Sequence, residues 1–171
     1  MAPVRDGLAR GGHTDRRGRQ TTVAEVLFFH LERQPLEAVL PKLIVTSLGR
    51  DWGVVVQAGS QERVAALDAL LWTFDEEAFL PHGVAGGDHD ADQPVLLTTG
   101  PENPNGAVVR FLIDRAEPPD LKPYLRGVFL FDGHDPEAVA EARAQWKTQK
   151  AAGHDLTYWQ QNPRGGWEKK A

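Results

Sequence analysis

The chain has 171 residues, of which 41% are hydrophobic, so it can form one domain with a substantial core but is short for two. No apolar stretch approaches the roughly 20 residues that a membrane-spanning helix requires. Because the chain lacks cysteine, disulfide bonds, thiolate metal sites and cysteine nucleophiles are excluded.

The charge is unevenly distributed along the chain. The whole sequence has 19 basic and 24 acidic residues, a net charge of −5. Residues 1–20 contain five arginines and two aspartates, which leaves 14 basic against 22 acidic residues, a net of −8, for the remainder. A body this acidic repels a phosphate backbone, so we expect no strong direct binding to DNA.

The sequence divides into three segments. Residues 1–22 have neither helical nor strand periodicity, and we expect them to be a disordered N-terminal extension. Residues 23–162 carry the apolar patterning of a folded domain, and residues 163–171 are predicted to be a basic C-terminal tail.

Within the domain, short apolar runs alternate with amphipathic helical segments. The predicted helices cover 35–48, a segment capped by Ser60, and 135–152, while the predicted strands are 23–31, 53–58, 94–99, 107–114, 127–132 and 156–160. Pro41 is expected to kink the first helix or mark its first turn. A turn is predicted at 103–106 and a mobile loop at 85–93. The alternation predicts a single three-layer α/β/α domain with a largely parallel central sheet.

The glycines of this Rossmann-like pattern do not indicate a nucleotide site. Neither GxGxxG nor GxxxxGK[ST] is present, and Gly86 and Gly87 lie in an acidic segment that is unsuited to phosphate. We therefore expect no cofactor.

A polar cluster follows the predicted strand at 127–132. Asp132 and His134 stand where α/β enzymes place their sites, and His82 offers a further metal ligand. These three residues define an alternative function, a metal-dependent hydrolase. A simpler interpretation is that Asp135 caps the following helix, so we expect no catalytic residues and no metal site.

Two aromatic residues flank an acidic turn after the second predicted helix. Trp72 and Phe79 lie on either side of this turn, and Pro81 and His82 follow it. Large aromatics at such a junction either close the core or present an apolar patch, and the sequence leaves both open.

The last predicted helix carries cations around an indole. Arg143, Trp146, Lys147 and Lys150 recur at i, i+3, i+4 and i+7, which places them on one face, and Gly153 ends the helix. Cations late in a helix stabilise its dipole, which explains the charges but not the tryptophan. Cations beside an aromatic suit a peptide that has carboxylates and an aromatic anchor.

Three segments together resemble a known family. The first is residues 25–31. The second is residues 70–82, through its two ends at 70–72 and 79–82. The third is the Arg143-x-x-Trp146-Lys147 helix that ends in Gly153. In this order and spacing, over about residues 23–160, the chain resembles the chi subunit of the bacterial DNA polymerase III holoenzyme. The first 20 residues and the tail after Gln161 lie outside the resemblance, so Trp167, Lys169 and Lys170 have no assigned role.

The resemblance implies a non-catalytic α/β adaptor of the clamp-loader complex, cytoplasmic and associated with the replisome. Such a protein binds the acidic C-terminal tail of single-stranded DNA-binding protein and joins the loader through the psi subunit. The resemblance and the helical spacing together place the tail site at Arg143, Trp146, Lys147, Lys150, Gly153 and Leu156.

The family's second surface, which engages psi or a helicase partner, is implied at Trp72, Phe79, Pro81 and His82. A direct single-strand binder that uses the arginine-rich arm and the C-terminal aromatics remains a third interpretation.

Overall fold

An eight-stranded sheet organises the computed structural model, which describes residues 23–74 and 80–171. The sheet order is β3-β4-β2-β5-β6-β1-β7-β8, and every neighbouring pair is parallel except β7 and β8. The strands are β1 (Glu25–Leu31), β2 (Val54–Gln57), β3 (Gly83–Val84), β4 (Val95–Thr98), β5 (Val109–Leu112), β6 (Arg126–Asp132), β7 (Asp155–Gln161) and β8 (Trp167–Lys169).

Helices cover both faces of this sheet. Helices α1 (Leu36–Gly49) and α2 (Gln61–Thr73) pack on one face in a core cluster that includes Leu40 and Leu67. Helix α3 (Pro136–Ala151) packs on the other face through Ala138 and Ala142. The predicted three-layer α/β/α fold with a largely parallel sheet is therefore confirmed. No helix in the described ranges is long and apolar enough to cross a bilayer.

Two local details add to the sequence expectations. Pro41 lies inside α1 beyond its first turn, and the helix continues to Gly49. The 103–106 turn forms, because the Gly106 amide donates to the Asn103 carbonyl at 3.2 Å. Since β4 and β5 both pair in parallel with β2, this turn lies within the crossover connection between them.

The segment predicted as a mobile loop contains short ordered pieces. Residues 90–92 form a 3₁₀ turn, and the Asp90 carboxylate accepts the amides of Gly86 and Gly87 at 2.8 and 3.0 Å. This carboxylate is therefore engaged by the backbone of its own loop.

The C-terminal segment contributes an edge strand, which the expectation of a tail from residue 163 did not include. Strand β8 pairs antiparallel with β7, and the Trp167 ring meets the Phe29 ring edge-on at 5.0 Å. Trp167 therefore packs against the core on the face that carries α1 and α2.

Both ends of α3 are fixed by local sequence. The Asp135 carboxylate accepts the amides of Glu137 and Ala138, as the predicted cap requires. At the other end Gly153 adopts φ +91°, its amide donates to Lys150, and the next amide donates to Gln149. This pair of hydrogen bonds is a Schellman motif, and a residue with a side chain would be strained at Gly153.

Candidate functional site at the last helix

The outer face of α3 carries three exposed cations. Arg143, Lys147 and Lys150 are solvent-exposed, and none of them forms a salt bridge within residues 23–74 and 80–171. These three cations make this face positive, in contrast to the chain as a whole, which is acidic. Exposed cations without internal partners are available to the carboxylates of another molecule.

The indole of Trp146 lies at the border between this surface and the core. Its side chain is partly buried, and its ring centroid lies 5.4 Å from that of Phe28 and 5.9 Å from that of Tyr158. Phe28 in turn stacks on Phe129 at 4.7 Å. The ring is therefore held by an aromatic cluster on one side and reaches solvent on the other.

The turn from α3 into β7 places the remaining residues of the predicted tail site. Gly153 is exposed at the end of the helix, and Leu156 packs partly buried against the same core cluster as Trp146. Between them, His154 is buried and its Nδ1 accepts the Ala24 amide at 2.9 Å, which ties this turn to the start of β1. The six predicted residues therefore lie on α3 from Arg143 onward, in the turn that follows it and at the start of β7.

Sequence reasoning missed Tyr158, which supports the indole from β7. Its hydroxyl is 2.8 Å from Nδ1 of His30, whose Nε2 is 2.6 Å from the Glu32 carboxylate. Burial raises the pKa of Tyr158, and the nearby charge of Arg143 partly opposes this rise. The predicted strand at 156–160 contained the signal, because alternate residues of a strand share a face and Tyr158 is two residues after Leu156.

The second predicted surface is only partly exposed. Trp72, near the end of α2, is 55% exposed, and Pro81 is exposed. His82 is buried, with its ring nitrogens 2.7 Å from the Leu80 carbonyl and 3.0 Å from the Asp68 carboxylate. The Trp72 ring lies 4.7 Å from the His82 ring, so His82 supports the indole from behind. Phe79 lies outside the described residues.

The alternative hydrolase fails because its three residues do not come together. His82 precedes β3, at the amino-terminal ends of the parallel strands, whereas Asp132 is the last residue of β6, at their carboxyl-terminal ends. Four interstrand steps separate β3 from β6, about 19 Å at about 4.8 Å per step. In the part of the chain that the structure describes, no group of three or more His, Asp or Glu residues is arranged to hold a metal ion.

A cavity of about 530 Å³ lies where β1 and β6 end, beside Asp132 and His134. Its polar side chains support the local backbone: Asp132 accepts the His134 amide at 2.9 Å, and His134 Nε2 donates to the Glu32 carbonyl at 2.8 Å. This hydrogen bond is the main reason that the pKa of His134 is raised. The residues around this cavity therefore do not support the hydrolase.

The protein is thus a three-layer α/β domain that presents cations around a half-buried indole. The family model described as DNA polymerase III chi subunit, HolC, matches residues 23–157. The chain therefore belongs to the DNA polymerase III chi subunit family, a family of accessory subunits of that polymerase, as the sequence resemblance had indicated.

A curated protein supports the same assignment. The chain is 30% identical over 94 residues to the "Probable DNA polymerase III subunit chi" of Rickettsia prowazekii (strain Madrid E). The matched region covers 53% of this chain and 56% of that protein, so it spans little more than half of each.

His154 makes the turn beneath the site sensitive to acid. Burial lowers the pKa of His154 below its ordinary value of 6.5. Protonation would also remove the lone pair with which Nδ1 accepts the Ala24 amide. The unfolded chain then binds more protons than the folded one, so this contribution is complete above about pH 6.5 and is lost as the pH falls toward the folded pKa. Asparagine keeps an acceptor for this amide but does not titrate. We therefore expect the unfolding free energy of His154→Asn to fall less steeply below pH 6.5 than that of wild type, by at most about 1.4 kcal/mol per pH unit.

Denaturant titrations at several pH values would measure this decline. Equal slopes for wild type and His154→Asn would show that the histidine does not titrate as its environment indicates. Exposed His89 provides the matched control, because His89→Asn makes the same replacement outside the core.

Proposed function

We propose that this chain is a non-catalytic adaptor of the DNA polymerase III clamp-loader complex. On this proposal it captures the acidic C-terminal tail of single-stranded DNA-binding protein on α3 and reaches the loader through the psi subunit. Family membership supports the accessory role. The single observation that carries the tail site is a set of cations around a half-buried Trp146 on an acidic protein, and these cations form no salt bridge among the described residues.

The chemistry of the tail fits this surface. The tail ends in aspartates, a proline and a phenylalanine that bears the terminal carboxylate, so it combines negative charge with one aromatic anchor. Arg143 can pair two carboxylate oxygens at once through its planar guanidinium, and Lys147 adds a second cation one turn later. Trp146 and the apolar stem of Lys150 wall the space for the phenylalanine ring.

The strength of such an interaction follows from its size. A short peptide held by two or three charges and one ring binds with about micromolar affinity, near −8 kcal/mol. Because the cations are exposed, salt screens part of the attraction and weakens binding. A tetrameric partner that presents several tails raises the effective affinity by avidity.

The Trp72 surface is the proposed contact for the psi subunit or for a helicase. Trp72 and Pro81 provide exposed contact area, with buried His82 holding the Trp72 ring from behind. Phe79 completes the proposed surface by family position. Helices α2 and α3 cover opposite faces of the sheet, so two partners can bind at the same time, as a linker requires.

Lys147→Ala tests the tail site. Because one charge-assisted contact is lost, we expect affinity for the tail peptide to fall roughly fivefold to tenfold. Fluorescence anisotropy with a labelled tail peptide measures the change. Lys42, an exposed lysine on α1, offers the matched control, and Lys42→Ala should bind as wild type. Unchanged binding by Lys147→Ala would remove the assigned site.

Trp72→Ala tests the second surface. Since an exposed aromatic anchor is removed, binding of purified psi should weaken by about 2 kcal/mol, roughly thirtyfold, with little loss of stability. His82→Ala, by contrast, removes a buried hydrogen-bonded ring and should lower the melting temperature. Surface plasmon resonance with immobilised psi gives the affinity, and Lys147→Ala serves as the control that retains it. Wild-type affinity in Trp72→Ala would contradict the assignment.

A further inference from the structure

A chain of hydrogen bonds runs behind the indole of Trp146. It begins at the Glu32 carboxylate, passes through the His30 ring at 2.6 Å and ends at the Tyr158 hydroxyl at 2.8 Å from that ring. The Tyr158 ring then meets the Trp146 ring nearly edge-on at 5.9 Å. Residues from the end of β1 and from β7 therefore reach the proposed tail site.

The acceptor at one end fixes the direction of the first of these hydrogen bonds. An ionised carboxylate can only accept, so His30 Nε2 carries the proton that is donated to Glu32. In the neutral ring Nδ1 then has a free lone pair, and the Tyr158 hydroxyl donates to it. The tyrosine hydroxyl is thereby held in one orientation, and the orientation of its ring is fixed with it.

The surroundings of the tyrosine limit its movement further. The Phe131 ring packs edge-on against Tyr158 at 6.0 Å and lies 5.1 Å from the His30 ring. The His30 side chain is 12% exposed and that of Glu32 is 28% exposed, so both hydrogen bonds are partly shielded from water. Hydrogen bonds in such an environment hold geometry more firmly than bonds at an open surface.

We propose that Tyr158, held by His30 and Glu32, is a positioning residue that sets the angle of the Trp146 ring and thereby the preference of the site for an aromatic chain end. The inference rests on the tail-binding function proposed above. On this account the cations supply attraction to any acidic peptide. The Tyr158–Trp146 contact supplies discrimination for the ring at its end.

A purely packing role for Tyr158 makes a different prediction. If the ring only filled space, Tyr158→Phe would keep the edge-on contact and the removal of the hydroxyl would leave binding unchanged. If the hydroxyl sets the geometry, Tyr158→Phe weakens binding of the aromatic-ended peptide and has little effect on a peptide without the aromatic ring. Comparing two peptides therefore separates positioning from packing.

The chain supplies a matched control for this substitution. Tyr124, its other tyrosine, is buried in the core cluster on the same face of the sheet, and its hydroxyl is hydrogen-bonded by Arg110 at 3.0 Å. Tyr124→Phe therefore removes one tyrosine hydrogen bond from the same core cluster, and that bond joins no residue of the proposed site. Thermal unfolding of both variants checks that each remains folded.

The experiment measures binding of two synthetic peptides, the tail sequence ending in phenylalanine and the same sequence ending in alanine. We expect Tyr158→Phe and His30→Leu to lower the affinity for the phenylalanine peptide about threefold to tenfold. Their affinity for the alanine peptide should fall less than about twofold, because the coupling between the hydroxyl and the peptide's ring is then absent. Tyr124→Phe should bind both peptides as wild type.

Each other outcome identifies what fails. Wild-type affinity of Tyr158→Phe for the phenylalanine peptide, or equal losses for both peptides, overturns the positioning role while a loss in Lys147→Ala still supports the tail site. If Lys147→Ala and wild type bind the phenylalanine peptide equally, or if neither binds it, the proposed function is overturned and the positioning role falls with it.

Discussion

The packing of one indole against the sheet determines how α3 presents its charges. Trp146 is the largest apolar side chain that α3 contributes to its core cluster, where its other members are Ala138, Val139 and Ala142. Its ring contacts with Phe28 and Tyr158 therefore hold the rotation of α3 about its axis more firmly than the small alanine contacts do. With that rotation fixed, helical periodicity turns Arg143, Lys147 and Lys150 outward. A rotation by one residue, about 100°, would carry the indole away from Phe28 and Tyr158 and break both ring contacts.

Much of the fold could be predicted from the sequence because its signals are local. Apolar runs of strand length and capped amphipathic segments indicated the main helices and strands, and Ser60, Asp135 and Gly153 cap or end helices as expected. The edge strands β3 and β8 were not predicted, because two or three residues carry no periodicity. Strand β8 exists through its pairing with β7 and through the contact of Trp167 with Phe29, both of which join parts of the chain that pattern reading treats separately.

The candidate site was predictable to a similar depth. Spacing along one helix placed the cations and the indole together, since that geometry depends only on 3.6 residues per turn. The support from His30 and Tyr158 could not be predicted, because the two residues are 128 positions apart and meet through the pairing of β1 with β7. For the same reason the sequence could not show that His82 is buried against Asp68. Nor could it show that Asp132 and His82 lie at opposite ends of the parallel strands.

On this account Trp146 and its neighbouring cations bind an acidic peptide that ends in an aromatic residue. Nuclear magnetic resonance of the tryptophan indoles tests this binding most directly. The chain has five tryptophans, so a ¹⁵N-labelled sample gives one indole signal for each, and single substitutions assign them. On addition of the tail peptide, the account predicts that the Trp146 signal shifts with saturation while those of Trp159 and Trp167, on the opposite face, stay in place. A stationary Trp146 signal under conditions where the peptide binds would contradict the account.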